Sequence, residues 1–307
     1  MNLPVDVPPG PPGPTGPTGP TRPAGPALPD GVRPLDLLRL AEEVARAAGV
    51  LVHGGRPARV EVASTKSSPT DVVTAMDTAS EELIRSRLSA ARPHDGLHGE
   101  EQGLQPGTSG ITWVVDPIDG TVNYLYGLPA YAVSVAAAVG DTSRAGAWRA
   151  VAGCVHDPAS GETWTAAEGE GARLDGVPLV APAPPPLERA LVATGFGYLA
   201  RRRACQARVV ADLLPRVRDI RRLGSSAVDV CLVATGRLDA YYERGLQPWD
   251  LAASALVARE AGLTVRGIDG RAPGEHMVVA AREPLAATLA AHLERLDAAD
   301  DGDTLVR

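Results

Sequence analysis

Trp113-Val-Val-Asp-Pro-Ile-Asp-Gly-Thr-Val-Asn123 is the stretch from which the rest of the chain is read. Trp113, Val114 and Val115 are the apolar end of a buried strand. Asp116 follows at once, and Pro117, lacking an N–H, is expected to end the ladder. Asp119 comes three residues after Asp116. Gly120 lets the backbone turn sharply, and Thr121 adds a hydroxyl. Asp-Pro and Asp-Gly pairs also mark ordinary turns. Two carboxylates on a tight turn at a strand end can, however, face one point. They repel there unless a cation lies between them. A hard divalent ion such as Mg²⁺ suits such oxygen ligands.

Composition narrows the alternatives. The 307 residues allow two domains or one large one, and with aromatics only 4 % of the chain, Ala, Val and Leu must fill most of the core. A net charge of −7 disfavours nucleic acid as the main ligand, because phosphate backbones select basic faces. A phosphate substrate stays open, since a bound metal reverses the local field. Cys154, Cys205 and Cys231 are far apart and odd in number, which argues against zinc and against a disulfide framework. No apolar run has the length of a membrane span, and the N-terminus lacks a signal-peptide pattern. A cytoplasmic location is expected.

Residues 1–30 are dominated by Pro and Gly, as in Gly13-Pro-Thr-Gly-Pro-Thr-Gly-Pro20, and should form a disordered tail. Residues 31–180 read as an N-terminal α+β part. In it, Leu35, Leu38, Ala41, Val44, Ala45 and Ala48 recur at helical spacing, with Gly49 as the expected stop. Lys66 to Thr74 reads as a loop. Asp77 opens a helix over residues 78–90 and is also a candidate N-cap. Glu100 and Glu101 lie shortly before the Asp116 strand, where a hairpin could bring them beside it. Strands are expected over 131–139, 151–156 and 163–167, then a hairpin over 171–179. The prolines of Ala181-Pro-Ala-Pro-Pro-Pro186 suit a linker.

Residues 187–296 alternate strand and helix, which indicates layered architecture. Strands are expected over 190–194, 220–223 and 238–242 and near 264 and 277–280. Helices are expected over 201–217, 226–235, 250–261 and 284–296. Gly236 and Gly262 stop two of them. Residues 297–307 form an acidic end that should fray. Asp250, within Gln247-Pro-Trp-Asp-Leu-Ala-Ala253, sits at a helix start and is either a cap or a carboxylate aimed into a cleft.

Four motifs in order carry a resemblance. They are Lys66-Ser-Ser-Pro-Thr-Asp-Val-Val-Thr-Ala-Met-Asp77, Gly99-Glu-Glu101, Asp116-Pro-Ile-Asp-Gly-Thr121 and Trp249-Asp250. Over roughly residues 35–295 the chain resembles the inositol monophosphatase family of metal-dependent, lithium-sensitive sugar phosphatases. The resemblance implies an α+β fold, a layered α-β-α-β-α sandwich, usually dimeric. It implies two or three Mg²⁺ ions held by Glu100, Asp116, Asp119, Asp250 and the carbonyl of Ile118. It places Asp77, Glu101 and Thr121 around the attacking water, and the N–H groups of Gly120 and Thr121 on the phosphate.

The same resemblance bears on substrate. Arg221-Arg-Leu-Gly-Ser-Ser-Ala227 and Leu238-Asp-Ala-Tyr-Tyr-Glu-Arg-Gly245 resemble the inositol-type branch. There the position of Glu243 binds a sugar hydroxyl and that of Ser226 lies close to the ring. Glu243 is otherwise an exposed strand-end charge. Histidinol-phosphate, fructose-bisphosphate and nucleotide 3′-phosphate phosphatases share the metal motifs, and Gly195-Phe-Gly-Tyr198 leaves the substrate rim open. A regulatory, partner-binding protein without catalysis is the expectation of another class.

Overall fold

A computed structural model of the protein describes residues 26–300. Most of the expected tail, and the end of the chain beyond residue 300, lie outside the described residues. Within them, Leu28 packs against the first core cluster, and Ala298 and Ala299 are buried against the last helix. The first half runs α1 (Pro34–Gly54), β1 (Val62–Thr65), β2 (Val72–Thr74), α2 (Ala75–Ala91), β3 (Gly96–Gly99), β4 (Gly103–Gln105), β5 (Ile111–Asp119) and α3 (Thr121–Tyr126). It continues through β6 (Ala132–Gly140), β7 (Trp148–His156), β8 (Thr163–Ala167), β9 (Ala172–Leu174) and β10 (Val177–Leu179). The second half runs β11 (Leu191–Thr194), α4 (Ala200–Leu213), β12 (Asp219–Arg221), α5 (Ser226–Ala234) and β13 (Ala240–Glu243). It closes with α6 (Pro248–Glu260), β14 (Thr264–Arg266), β15 (Val278–Ala281) and α7 (Leu285–Arg295).

Two sheets organise these elements, apart from the small β1–β2 hairpin. The larger has the order β10-β9-β8-β7-β6-β5-β3-β4, and the smaller β12-β11-β13-β15-β14. Strands of the larger sheet's centre, such as Ala132–Val139, are buried on both faces and therefore read as unbroken apolar runs rather than alternating ones. α1 and α2 cover one face through Leu37, Val44, Ile84 and Leu88. α5 and α6 fill the space between the sheets. In α6 every residue from Leu251 to Ala258 is buried, as a helix enclosed on all sides requires. α4 and α7 close the far face of the smaller sheet through Val209, Leu213, Leu289 and Leu293. The result is the α-β-α-β-α sandwich. Its central core joins Val114 and Ala136 of the first half to Ala253, Val257 and Ala280 of the second.

Two local expectations are corrected and a third is met. Pro117 does not end its strand: β5 continues to Asp119. The register against β6 shifts between Asp116 and Asp119, so β5 carries one extra residue there. A bulge of this kind leaves a residue outside regular pairing, which accommodates a proline with no N–H to offer. Gly49 does not stop α1, which runs on to Gly54. It is instead a contact point, because a Cβ there would collide with the buried His156 ring. Glu100 and Glu101 do arrive in a hairpin, as turn residues between antiparallel β3 and β4, where Gly99 faces Gly103. β3 runs parallel to β5, with Gly99 opposite Val115, and β4 is the short antiparallel edge between them in sequence.

The helix starts also move. Asp77 and Asp250 are third residues of α2 and α6, not first. Each carboxylate reaches back to the amide at its helix's cap position, Thr74 N at 2.8 Å and Gln247 N at 2.7 Å. Residues 214–216, expected within α4, form a 3₁₀ turn at Pro215. Gly236 and Gly262, at φ 73° and 93°, follow α5 and α6 as expected.

Candidate functional site

The bulge at the end of β5 builds the centre of the site. Asp116 and Asp119, three residues apart, are both buried. Asp116 Oδ1 accepts the Ile118 N–H at 3.0 Å, whereas its Oδ2 is buried with no hydrogen-bond partner among the described residues. Gly120 then turns the chain at φ 99° into α3, and a Cβ there would lie 2.8 Å from the Ala130 carbonyl. Asp119 faces the start of α5. Its Oδ2 accepts the Ser225 hydroxyl at 2.7 Å and the Ala227 N–H at 2.6 Å, where the helix dipole favours negative charge. Asp250 arrives from the first turn of α6. Carboxylate oxygens of Asp116, Asp119 and Asp250 all lie within 4.8 Å of one another.

Glu100 and Glu101 come off the end of β3 beside this centre. Lys66, in the β1–β2 turn, places its Nζ 2.7 Å from a carboxylate oxygen of each. The turn that carries the two glutamates is held from behind by Glu81 of α2. That buried carboxylate accepts the N–H groups of Glu101 at 2.8 Å and Gln102 at 3.0 Å, and pairs with Arg85 at 2.8 Å. Gly99 is required for this approach, since a Cβ would overlap the Glu81 carboxylate. On the other side, the Thr121 hydroxyl lies 2.9 Å from Asp77 Oδ1 and 3.0 Å from the Ile118 carbonyl. Asp77 Oδ2 accepts the Thr74 N–H and hydroxyl.

These groups open on one cavity of about 450 Å³. Its walls include Glu100, Asp116, Ile118, Asp119, Gly120, Thr121, Ser226, Glu243 and Asp250 from the sequence reading. Glu101 and Asp77 do not line it; they reach it through Lys66 and Thr121. Glu243 is not an exposed strand-end charge. It receives the Tyr241 hydroxyl and lies against the Gly195 backbone, where any Cβ would overlap its carboxylate. Ser226 directs its hydroxyl to Asp119 and to the Asp250 carbonyl, each at 3.4 Å.

Electrostatics test whether the cluster fits a cation. Burial, then Glu100, Asp119 and Asp250, raises Asp116 well above the usual carboxylate range. Burial, then Asp119 and Glu100, does the same to Asp250. Burial raises Asp119 too, although the Ser225 hydroxyl and the N–H groups of α5 oppose it. Glu100 is pushed up to about 7 by burial, against the pull of Lys66. Burial would lower the Lys66 ammonium, but Glu100 and Glu101 hold it above its ordinary value. Carboxylates gathered at such cost, one with an orphaned oxygen, fit a hard divalent ion better than they fit each other.

Three contributors escaped the sequence reading. Glu81 had a legible signal: a carboxylate four residues after Asp77, on the buried face of α2, needs partners. Lys66 opened a motif but received no role, because only folding brings the β1–β2 turn to β3. Asp229 lines the cavity and is 1 % exposed, yet looks like an ordinary first-turn helix acid in sequence.

Comparison with known proteins agrees with this geometry. A sequence model of the inositol monophosphatase family matches residues 35–299. The chain is 44 % identical over 283 residues to the inositol-1-monophosphatase SuhB of Mycobacterium tuberculosis, covering 86 % of this chain and 95 % of that protein. It is 36 % identical over 236 residues to the Nus factor SuhB of Escherichia coli, covering 76 % and 86 %. Among solved structures, Mycobacterium tuberculosis SuhB superposes with a TM-score of 0.72 at 42 % identity, over 87 % of this chain and 99 % of that one. The IMPase of Thermotoga maritima superposes with a TM-score of 0.75 at 26 % identity, over 85 % and 98 %.

Proposed function

This chain belongs to the inositol monophosphatase family, and we propose that it is a Mg²⁺-dependent phosphate-monoester hydrolase whose substrate is an inositol monophosphate or a similar polyol phosphate. One observation carries the reading. Asp116, Asp119 and Asp250 converge within 4.8 Å on the wall of a roomy cavity, and Asp116 keeps a buried oxygen unpaired.

In this reading Asp116, Asp119, Asp250, Glu100 and the Ile118 carbonyl would hold two or three Mg²⁺ ions. When bound, the ions would supply positive charge to the phosphoryl group and a water of lowered pKa. The chain's own groups do the rest. The Thr121 hydroxyl, held between Asp77 and the Ile118 carbonyl, orients the attacking water and takes its proton toward Asp77. Burial keeps the Asp77 carboxyl above its ordinary value, which suits a proton acceptor. Glu101, held in place through its backbone by Glu81, flanks the same water. The N–H groups of Gly120 and Thr121 at the start of α3 offer hydrogen bonds to phosphate oxygens. Lys66 balances the charge of Glu100 and Glu101.

The experiment is a phosphate-release screen with inositol 1-phosphate, histidinol phosphate, fructose 1,6-bisphosphate, a nucleoside 3′-phosphate and phenyl phosphate. It is run with Mg²⁺ and with excess chelator. Release from a polyol phosphate should be fastest by kcat/KM and should stop in chelator. No release from any ester with Mg²⁺, or undiminished release in chelator, would sink the reading.

The charge cluster gives a second expected outcome. Carboxyls raised in the folded state hold protons there that the unfolded chain gives up. Their contribution to stability is full below the ordinary carboxylate range and is lost as pH rises through the folded value, about 7 for Glu100. In chelator, Tm should therefore fall between about pH 5 and 8, and saturating Mg²⁺ should recover most of the loss at the upper end. A melting curve flat over this range and indifferent to Mg²⁺ would remove the cluster as an ion site.

Glu243 tests the substrate class. A carboxylate accepting hydroxyl donors from a polyol contributes roughly 1.5–3 kcal/mol per charge-assisted bond. Glu243→Gln should lower kcat/KM for inositol 1-phosphate about tenfold or more, while phenyl phosphate hydrolysis changes little. An equal loss on both substrates would instead make Glu243 a support of the ion site.

A second reading has one observation behind it. The E. coli relative is named a Nus factor, so a partner-binding role besides hydrolysis is testable. Capture of the same partners by the unaltered chain and by Asp116→Asn would support it. Failure to capture any would leave hydrolysis as the sole role.

A further inference from the structure

One buried carboxyl on the cavity wall has no part in holding ions or orienting water. Asp229, in the first turn of α5, is 1 % exposed and lines the cavity with Glu243. Its Oδ1 is buried and has no hydrogen-bond partner among the described residues. A structural acid in a helix's first turn would take one of the free N–H groups there. Those of α5 are engaged elsewhere: Ala227 N–H goes to Asp119 at 2.6 Å and Val228 N–H to Ser225 Oγ at 3.3 Å. A buried oxygen left unpaired in a protein this well packed calls for a partner that comes from outside the chain.

The surroundings say what kind of partner. Burial, then Glu243 and Asp119, pushes Asp229 up to about 9, with Arg222 opposing. Its carboxyl therefore keeps its proton at neutral pH and can both donate and accept. Glu243 is pushed by burial only to about 7 and is held by the Tyr241 hydroxyl. It is the more acidic of the two and the better acceptor. A donor-acceptor group beside an acceptor complements adjacent hydroxyls, each of which also donates and accepts.

We propose that Asp229 is a second hydroxyl-reading residue of the substrate cavity, bonding one hydroxyl of a polyol phosphate while Glu243 bonds a neighbouring one. This rests on the polyol-phosphate reading above and adds the group that separates a vicinal diol from a lone alcohol. Arg222, also on the cavity wall, balances the charge that Glu243 brings to the pair.

The test compares kcat and KM for inositol 1-phosphate and phenyl phosphate, with Mg²⁺, in the unaltered protein, Asp229→Asn and Asp229→Leu. Asparagine keeps a donor and an acceptor on the same skeleton, so its preference for the polyol ester should stay within about threefold of the unaltered protein. Leucine keeps the branching but no polar atom. It should raise KM for inositol 1-phosphate roughly tenfold and leave phenyl phosphate unchanged. If Asp229→Leu does not fold, Asp229→Ala, smaller than the native residue, carries the same comparison. The proposal is overturned if leucine keeps the polyol preference, if it harms both esters equally, or if asparagine loses as much as leucine. No polyol preference in the unaltered protein would overturn the substrate reading itself, and this proposal with it. That failure is seen before any variant is made, so the two are told apart.

Discussion

Asp116→Asn should lower phosphate release on the order of 10³-fold while leaving the chain folded. Losing one preorganised charge-stabilising group already costs about 10²–10³ in turnover. Asp116 is more than one such group, because it stands between Glu100, Asp119 and Asp250 and raises or is raised by each. Asparagine keeps the shape and the Oδ1 contact to the Ile118 N–H. It removes a carboxyl that burial already penalises, so Tm in chelator should not fall. The two readouts should thus separate: turnover collapses, and the Mg²⁺-dependent rise in Tm shrinks. More than a tenth of the original activity, or an undiminished Mg²⁺ effect on Tm, would show that the centre lies elsewhere.

The second large effect concerns the pair Thr121 and Asp77. Positioned proton transfer contributes typically about 10²–10⁴-fold, so Thr121→Ala and Asp77→Asn should each lose about 10²-fold or more in kcat. The hydroxyl and the carboxyl are 2.9 Å apart and act on one proton, so the double variant should lose little beyond the worse single one. Thr121→Ser, which keeps the hydroxyl, should retain most activity. Asp77 also caps α2 through Thr74, so its variant needs a melting measurement beside the kinetics. Fully additive losses would mean the two groups serve separate steps.

Much of the site can be read along the chain because its groups sit at element ends. Asp116-Pro-Ile-Asp-Gly-Thr121 holds two carboxylates, a turn and a hydroxyl within six residues, and the turn follows from Gly120. Trp249-Asp250 and Thr74 to Asp77 announce helix starts, where a carboxylate belongs. The details that failed depended on neighbours. Pro117 stays in its strand because β6 tolerates a bulge, and Gly49 lies within its helix where the His156 ring leaves no room for a Cβ. No residue near Pro117 or Gly49 in the chain reports either fact.

Local chemistry was therefore enough to specify many of the α and β elements and the acidic turn, whereas the layered sandwich and the candidate ion ligands were implied only by the family resemblance. Backbone preference and hydrophobic pattern act within a few residues, and the chain carries them openly. Folding alone decided which of these carboxylates meet, which oxygen is left without a donor and which charges are pushed from their ordinary pKa. Lys66 reaches Glu100 and Glu101 across 34 and 35 residues, and Ser225 reaches Asp119 across 106. Asp229 and Glu243 share a wall only because α5 packs on β13. Desolvation and mutual repulsion are properties of a place in space, and these places are assembled from segments far apart in the chain.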